Sequence, residues 1–414
     1  MHFIKKKIKA LTDSHSPDYT LFFLSSALII ISILFSYSLS IYTVVYWDYD
    51  QFHFFYRQLF TGILAILIMW TLSQIRPDAL IPKIGWLLFG LFLTLMILMQ
   101  FLPASLVTES GGAKRWIRLP GISLSPVEFF KIGFIYFLSY SFHKSLTGIT
   151  KLSFKDELKL LAPYGIVFGF VVFLIAVLQK DLGQVVLLGS ILFIMLMFAN
   201  RSWKIFASLI GIAFVGLISL ILFFPHRMTR IKSWWSMVQD NVLSFMPSFL
   251  EDKLRIKDFP EPYQVGHSLN AINNGGLFGT GIGEGALKLG FLSEVHTDFV
   301  LAGITEEIGL FGLFFILLIL FSIIFRIFKT SRRIENKKYH LFTLGIGLMI
   351  SIAFLINSYG ISGIIPIKGI AVPFLSYGGS ALLSISIAIG MVLSISRDIP
   401  KEDRIEMEIS DKNV

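Results

Sequence analysis

Asp298 lies where a polar segment meets one of the most apolar parts of the chain, in the run SEVHTDFVLAGITEEIG at residues 293–309. A carboxylate at such a boundary is partly removed from water, which raises its pKa and suits it to accept a proton as a general base. If a helix begins near His296, Glu306 lies about 12 Å further along its axis and Glu307 points to the opposite side. The three acids therefore cannot serve one site, and Asp298 is the candidate base. The alternative is a structural role, as a helix N-cap or first-turn acid favoured by the helix dipole.

A second polar stretch, GGAKRWIRLPGISLSPVEFFK at residues 111–131, brings several cations close to an acid. Lys114 and Arg115 precede Glu128 and Lys131, which stand three positions apart on the next apolar segment and can pair on one helix face. An acid at membrane depth normally faces a polar cavity or a partner. The concentration of cations beside it indicates a site for an anionic ligand.

Two further stretches break the apolar pattern. Asp181 lies in LQKDLGQ, residues 178–184, where a short turn joins two apolar segments; it is either a site acid or the cap of the next helix. The run ISGIIPIKGIAVPFLSYGGS, residues 361–380, is interrupted by glycines and prolines. Irregular backbone at membrane depth is tolerated only where protein buries it or where it lines a water-filled cavity.

These residues belong to a chain of 414 residues that is 55% hydrophobic and only 15% charged, whereas soluble domains are usually about 25% charged. Segments of about twenty apolar residues are long enough to cross roughly 30 Å of hydrocarbon. The sequence therefore predicts an all-α, polytopic integral membrane protein with ten transmembrane helices. The predicted spans are residues 20–40, 59–75, 84–102, 127–142, 161–178, 183–199, 205–224, 299–325, 341–359 and 379–395.

The basic residues predict the orientation, because positively charged loops stay on the cytoplasmic side. Residues 1–19 and 397–414 are predicted to be cytoplasmic tails around a single membrane domain, residues 20–396. Two outer segments, 103–126 and 225–297, carry cations against this rule, and the second is predicted to be a large extracytoplasmic loop between spans 7 and 8. An anionic substrate on the outer face would explain these charges; a purely structural role of a long loop is the alternative.

Composition and motifs also exclude several classes of function. The chain has no cysteine, so it has no disulfide, thiolate nucleophile or Cys-bound metal. Its net charge of +9 comes from cations in short loops, which indicates topology and anionic lipid rather than nucleic acid. The glycine-rich run GTGIGEGALKLG, residues 279–290, follows no predicted strand and lacks the GK[ST] of a nucleotide loop. His296 and Asp298 resemble half a metal site, but no second histidine lies nearby in the sequence.

Taken in order, these stretches resemble the SEDS family of bacterial cell-wall polymerases over nearly the whole chain. Residues 111–131 are similar to the family's G-A-x-R-W and Q-P-[SA]-E-x-x-K, LQKDLGQ to Q-P-D-L-G-T, and HTDFVLAGITEEIG to H-T-D-F and E-E-L-G. PFLSYGGSALL matches the final signature almost letter for letter, and YQVGHSLNAINNGG is similar to the Y-Q, Q-S and G-G block. Lys288 and Lys368 resemble the cell-division branch more than the elongation branch. The departures from the family pattern are Ser125, Val127, Lys180 and Gln184.

The resemblance implies glycosyl transfer with lipid II on the outer face of the bacterial cytoplasmic membrane, for septal wall synthesis. Asp298 corresponds to the family's catalytic aspartate, and undecaprenyl pyrophosphate leaves. Mg²⁺ or Mn²⁺ would be carried by the substrate pyrophosphate, and no nucleotide or organic cofactor is expected. A class B penicillin-binding protein, with other division proteins, is the expected partner. The expected substrate-binding residues are Lys114, Arg115, Trp116, Glu128, Lys131, Gln179, Asp181, Lys288, His296, Thr297, Glu306, Lys368, Ser376, Gly378, Gly379 and Ser380.

Two other functions fit the same residues. Acids, broken helices and cavities also suit a transporter, in this case a lipid II flippase that would run without a nucleotide motif. A scaffold that only anchors division proteins is the third reading. Formation of glycan polymer separates the enzyme from both alternatives.

Overall fold

The computed structural model describes residues 16–110, 113–119, 122–146, 153–198, 203–256, 260, 262–292 and 294–398. Helices make up about three-quarters of this part, so the predicted all-α membrane class is confirmed. The predicted tails lie mostly outside the described residues. In chain order the helices are α1 (Tyr19–Leu39), α2 (Ile41–Trp47), α3 (His53–Ser73), α4 (Pro77–Leu98), α5 (Pro126–Leu146), α6 (Phe154–Val172), α7 (Leu182–Met197), α8 (Trp203–Leu222), α9 (Pro225–Leu243), α10 (Ser248–Leu254), α11 (Tyr263–Gly275), α12 (Val300–Arg333), α13 (Lys337–Ile361) and α14 (Gly379–Ser396).

Each of the ten predicted spans overlaps one of these helices, but several helices begin before their apolar segment. α6 begins at Phe154 rather than at residue 161, because the Ser153 side chain accepts a hydrogen bond from the Asp156 N–H and caps the helix there. α4 begins at Pro77, a residue favoured in the first turn, where no intrahelical N–H bond is required. Capping residues, rather than the edge of the apolar run, therefore fix these boundaries.

Seven of the described helices are long and apolar enough to cross a membrane: α1, α3, α4, α6 with its π-helical extension Phe173–Leu178, α12, α13 and α14. α8 and α9 pass the same test together but are bent by 100° at the break between them, and α7 is apolar but shorter. The protein is a multi-pass membrane protein, while the number ten stays a prediction. The segment predicted as a large loop, 225–297, is largely helical, since it contains α9, α10 and α11.

A small antiparallel sheet occupies most of the other predicted outer segment, which the sequence analysis treated as a loop. Its strands are β1 (Val107–Ser110), β2 (Ala113–Leu119) and β3 (Ile122–Leu124), in that order. Val107 and Ile117 pair across β1 and β2 and are buried against Met99 just after α4. This apolar contact fixes the sheet on the membrane helices, and β2 delivers Arg115 and Trp116 to the site described below.

α12 is broken within its first third. Gly309 has φ 70° and ψ −179°, which is outside the helical region and is tolerated almost only by glycine. The main-chain groups released by the break bond instead to residues 276–281, which we call the loop strap. Thr280 and Gly281 N–H donate to the carbonyls of Glu306 and Glu307, and two N–H groups beyond the break donate to the strap's Gly276 and Leu277, over distances of 2.9 to 3.1 Å.

The broken helix lies against the centre of the bundle. α13 and α14 are the most deeply buried of the candidate spans; α14 packs along α3, and α13 packs against α5, α7 and α12. The interior is filled with Ile, Leu, Phe and Met side chains. This core fixes the ends of α3, α5, α7, α12 and α14 close together, and the candidate site lies between those ends.

Candidate active site

A cavity of about 560 Å³ lies where six parts of the chain meet: the start of α3, the sheet, the start of α5, the turn before α7, the turn before α12 and the segment that leads into α14. Most of the residues that the motifs predicted line this one cavity. They are Arg115, Trp116, Glu128, Gln179, Asp181, Thr297, Asp298, Gly378, Gly379 and Ser380. The structure therefore brings the four separate motifs together; the chemical roles of these residues stay predictions.

Asp298 lies in the turn before α12, partly exposed to the cavity. The N-cap of α12 is Phe299, so the alternative reading of Asp298 as the helix cap is wrong. Burial raises the pKa of the Asp298 carboxyl to about 7, with a contribution from the negative charges of Glu294 and Asp181, while Arg115 and Arg230 oppose the shift. A carboxyl that titrates near neutral pH can accept a proton and later release it.

Hydrogen bonds fix the main chain at Asp298 and at the neighbouring segment that contains Ile370. The Asn357 side-chain amide of α13 donates to the carbonyls of Asp298 and Ile370, at 2.7 and 2.8 Å. Gly369, next to Ile370, has φ 64°, and a Cβ built on it would lie 3.1 Å from Asp298 Oδ2. A glycine at this position thus leaves the carboxylate room.

We expect Gly369→Ala to lower catalytic activity by about 10-fold or more, since a displacement of the reacting group by about 1 Å can cost more than that. Because alanine disfavours a positive φ, the substitution also destabilises the fold by about 1–2 kcal/mol. Gly283→Ala is the matched control, because Gly283 has φ 89° but no neighbouring atom within 4 Å of a built Cβ. Activity per folded molecule separates the two effects: equal losses in both variants would mean that contact with Asp298 is unimportant.

Asp181 and Glu128 belong to one polar network on the opposite wall. Asp181 is the N-cap of α7 and accepts from the Gln184 N–H at 3.3 Å, so the capping interpretation is correct, and the residue lines the cavity as well. Burial raises its pKa, which Arg115 partly offsets. The Gln184 side chain donates to Glu128 at 3.2 Å, and Glu128 pairs with Lys131 at 2.7 Å. Lys131 lies behind Glu128, beside a second cavity of about 40 Å³ rather than the large one.

Arg115 lines the cavity and also holds the turn before α7. Its Nε and Nη2 donate to the carbonyls of Gln179 and Lys180, both at 2.9 Å. These carbonyls follow the π-helical end of α6, where carbonyls lack helical partners. The guanidinium thus joins the sheet to the turn that carries Asp181. Lys114, the residue before Arg115 on β2, does not reach the cavity: its ammonium donates to the carbonyls of Gln100 and Leu102, at 3.0 and 2.8 Å.

Lys288 is not at the cavity either, and its predicted contact with substrate is not supported. Its ammonium lies 2.5 Å from Glu307 Oε1 and 3.0 Å from Ser38 Oγ of α1. The Lys288 and Glu307 side chains are only 3% and 0% exposed. Ser38 also donates to Glu307. These three residues form a buried cluster on the far side of α12, which we call the Lys288 cluster.

Glu306 is likewise occupied in a structural role. Its carboxylate accepts from the Asn274 side chain and from the main-chain N–H of Ala286 and Leu287, over 2.9 to 3.1 Å. It is absent from the cavity lining. The prediction that the acids of this segment serve different places is confirmed, whereas the prediction that Glu306 binds substrate finds no support in its position.

The remaining predicted residues shape the cavity from behind. Ser376 donates to the Thr297 carbonyl at 2.7 Å and accepts from Val372 N–H, and the Tyr377 N–H donates to the His296 carbonyl at 2.8 Å. The His296 ring packs against Phe54 and Tyr377, with centroids 5.1 and 5.5 Å apart. None of these contacts gives Ser376 or His296 a surface in the cavity.

Ser380 contacts the sheet, and Lys368 contacts the start of α7. Ser380 accepts from Ser125 N–H at 2.9 Å and donates to the Ser123 carbonyl, so it anchors β3. The Lys368 carbonyl lies 3.0 Å from a Cβ built on Gly183 at the start of α7. Burial lowers the pKa of the Lys368 ammonium, as do Arg230 and Arg227. Lys368 thus belongs to a basic region beside the cavity rather than to its wall.

A family model that is described as cell cycle protein, and named for FtsW, RodA and SpoVE, matches residues 19–400. The chain belongs to the FtsW/RodA/SpoVE family. It is 49% identical over 384 residues to the probable peptidoglycan glycosyltransferase FtsW of Helicobacter pylori, covering 92% of this chain and 99% of that protein. The protein of the same name from Bacillus subtilis is 31% identical over 405 residues, with 95% and 92% covered. The predicted resemblance to the SEDS family, and to its FtsW branch, is therefore confirmed.

Solved structures of the family share the fold. The rod shape determining protein RodA of Thermus thermophilus superposes with a TM-score of 0.61 at 22% identity, over 93% of this chain and 98% of that one. A chain from the structure titled "Structural coordination of polymerization and crosslinking by a peptidoglycan synthase complex" gives 0.66 at 21% identity, over 92% and 98%. At this level of identity the likeness concerns the fold.

The departures from the family pattern have local consequences. Lys180 has φ 52°, which a proline cannot adopt, so the turn before Asp181 has a different backbone from one built on Q-P-D. Gln184, in place of threonine, reaches Glu128 and links two acids that the family pattern also contains. Ser125 and Val127 lie at the cavity wall.

The sequence analysis missed the wall that α3 contributes. Arg57 lines the cavity, together with Tyr49, His53 and Phe54, and hydrogen-bonds the Tyr377 side chain. Arg57 stands just before the predicted span 59–75, and one cation at the end of an apolar run resembles any topology signal. Tyr377 lies between two predicted site residues, Ser376 and Gly378, and could have been found from that position.

Proposed function

We propose that this protein is a peptidoglycan glycosyltransferase that polymerises lipid II into glycan strands for the septal wall. The observation that carries the proposal is Asp298: a partly exposed carboxyl with a pKa of about 7, in a cavity of about 560 Å³. The relatives named peptidoglycan glycosyltransferase FtsW support it, because they align with more than nine-tenths of this chain.

In the proposed reaction, the 4-hydroxyl of one saccharide attacks the anomeric carbon of a second, lipid-linked saccharide. Asp298 accepts the hydroxyl proton as the new C–O bond forms. The bond between the anomeric carbon and pyrophosphate breaks, and undecaprenyl pyrophosphate leaves with the electron pair. At neutral pH a large fraction of Asp298 is ionised and can act as the base, since its pKa is about 7.

The leaving pyrophosphate develops negative charge, which fixed cations would stabilise. Arg57 and Arg115 line the cavity, and both are suited to phosphate by their planar forks of N–H donors. The described residues contain no group of three or more His, Cys, Asp or Glu that could hold a metal. Mg²⁺ is commonly bound by one or two carboxylates together with substrate phosphates. We therefore propose that a divalent cation binds with the pyrophosphate, where it would offset phosphate charge, and that Asp181 faces it.

We infer that the protein lies in the bacterial inner membrane with both termini in the cytoplasm and the cavity on the outer side. The excess of Lys and Arg in the alternate, cytoplasmic segments supports this orientation. A class B penicillin-binding protein is the proposed partner. The fold shared with a chain from the study of a peptidoglycan synthase complex supports a partner of that kind.

The test uses the purified protein in liposomes that contain fluorescent lipid II. We expect glycan polymer, resolved as a ladder on gels and digested by a muramidase. Exchange of lipid II between leaflets without polymer, with or without an added transpeptidase partner, would instead identify a flippase and overturn the proposal.

A further inference from the structure

The short first part of α12 forms a separate lever for Asp298. It runs from Val300, just after Asp298, to the break that begins beyond Glu307 and is centred on Gly309. This segment is about two turns, or roughly 10 Å, long. Because the helix is broken at Gly309, the longer remainder of α12 cannot fix the orientation of this segment through continuous helical hydrogen bonds. Whatever holds its far end therefore also helps to place Asp298.

The far end is held by buried polar contacts on two sides. The loop strap bonds the carbonyls of Glu306 and Glu307. The Lys288 cluster holds the Glu307 side chain through two donors, Lys288 and Ser38, and ties it to α1. Glu307 Oε2 has no hydrogen-bond partner among the described residues, so Lys288 is the cation that compensates this fully buried carboxylate. Breaking such a pair leaves an uncompensated buried charge, which strongly destabilises the local arrangement.

We infer that Lys288, through its ion pair with Glu307, is a positioning residue for Asp298. The inference deepens the proposed function, on which it rests for the activity that it affects. It also gives Lys288 a role different from the substrate contact that the family resemblance implied. The pair acts on the lever, and the lever sets how far the Asp298 carboxyl is withdrawn into the cavity wall.

The surroundings of the Asp298 carboxyl determine in which direction its pKa changes when the carboxyl is displaced. Glu294 on the preceding turn, Asp181 at the start of α7, Arg115 of β2 and Arg230 of α9 all act on it, and burial is the largest cause of its raised pKa. If the lever loosens, the carboxyl gains water, and its pKa falls towards the usual value of about 4. The acidic limb of the rate profile, where the rate rises with pH as the base becomes ionised, then moves to lower pH.

The experiment compares Lys288→Met with Lys253→Met, which changes an exposed lysine on the same outer segment. Ser38→Ala is the milder variant if Lys288→Met folds poorly, since it removes a hydroxyl and keeps both charges. Two assays are run on folded protein. The first gives kcat and KM for lipid II. The second gives the pH midpoint at which a carbodiimide labels Asp298, read by mass spectrometry. The labelling needs no turnover and therefore reports on Asp298 even if the proposed function is wrong.

For Lys288→Met we expect kcat to fall by about 10- to 100-fold, KM to change little, and the labelling midpoint to move to lower pH; Ser38→Ala moves in the same direction by less. Lys253→Met matches the wild type. If Lys288→Met or Ser38→Ala kept the wild-type kcat and labelling midpoint, the cluster would have only a structural role, whatever the thermal stability of the variant. That result would overturn the inference. Absence of polymer from wild-type protein would count against the proposed function alone.

Discussion

Asp298→Asn is expected to lower the rate of lipid II polymerisation by about 10²- to 10⁴-fold, the range that a positioned general base contributes. Asparagine keeps the size of the side chain but cannot accept the proton of the attacking hydroxyl. The main-chain contact with Asn357 uses the Asp298 carbonyl, so the variant should fold and should still bind lipid II. Polymer formation in liposomes and binding of labelled lipid II are the two measurements.

The pH dependence of the rate gives this prediction a second signature. Because the base must be ionised, the wild-type rate should rise with pH through about 7, the pKa of the Asp298 carboxyl, and Asp298→Asn should lack this limb. Asp48→Asn is a matched control, since Asp48 is exposed and has φ 54°, a conformation that asparagine tolerates. Near-normal polymerisation by Asp298→Asn would mean that another group takes the proton.

We expect that most molecules of the Gly309→Ala variant fail to fold. Its φ of 70° with ψ near 180° costs about 1–3 kcal/mol for a residue other than glycine. A Cβ at this position would also lie 2.4 Å from Gly279 N and Leu277 O of the loop strap, and neither main-chain atom can move without breaking the hydrogen bonds across the break. The measurement is the yield of monodisperse protein in detergent and its thermal midpoint.

Gly211→Ala is the control for this substitution, because Gly211 lies within α8 and a built Cβ has no neighbour within 4 Å. Alanine is favoured over glycine inside a helix, so this variant should equal or exceed the wild type. If Gly309→Ala gave similar yield and stability, α12 could be continuous in solution and the break would not be required.

Much of the fold and the acidic part of the cavity could be predicted from the sequence. Asp298, Asp181 and Glu128 stand out because a carboxylate beside a long apolar run is costly and has few explanations. The break in α12 could not be predicted, since the apolar run continues through Gly309 and the strap that requires the break comes from residues 276–281. The small sheet was missed because its strands are short and bounded by glycines.

Lys288 illustrates the limit for individual residues. The family resemblance implied a contact with substrate, but the hydrogen-bond partner of Lys288, Ser38, stands on α1, 250 positions earlier in the chain. Arg57 was missed for the corresponding reason, because nothing near it in sequence indicates that it faces Asp181 and Asp298 across one cavity. Local spacing identifies which residues are unusual, and only the packing of distant helices decides which of them meet.

The four hydrogen bonds between the loop strap and α12 also limit how natural variants can be recombined. A chimaera that receives only residues 225–297 from a relative would place a foreign strap on a native break, and any mismatch would leave amide groups unpaired in an apolar setting. A graft should therefore carry residues 225–297 and α12 together, with the crossover placed after Arg333.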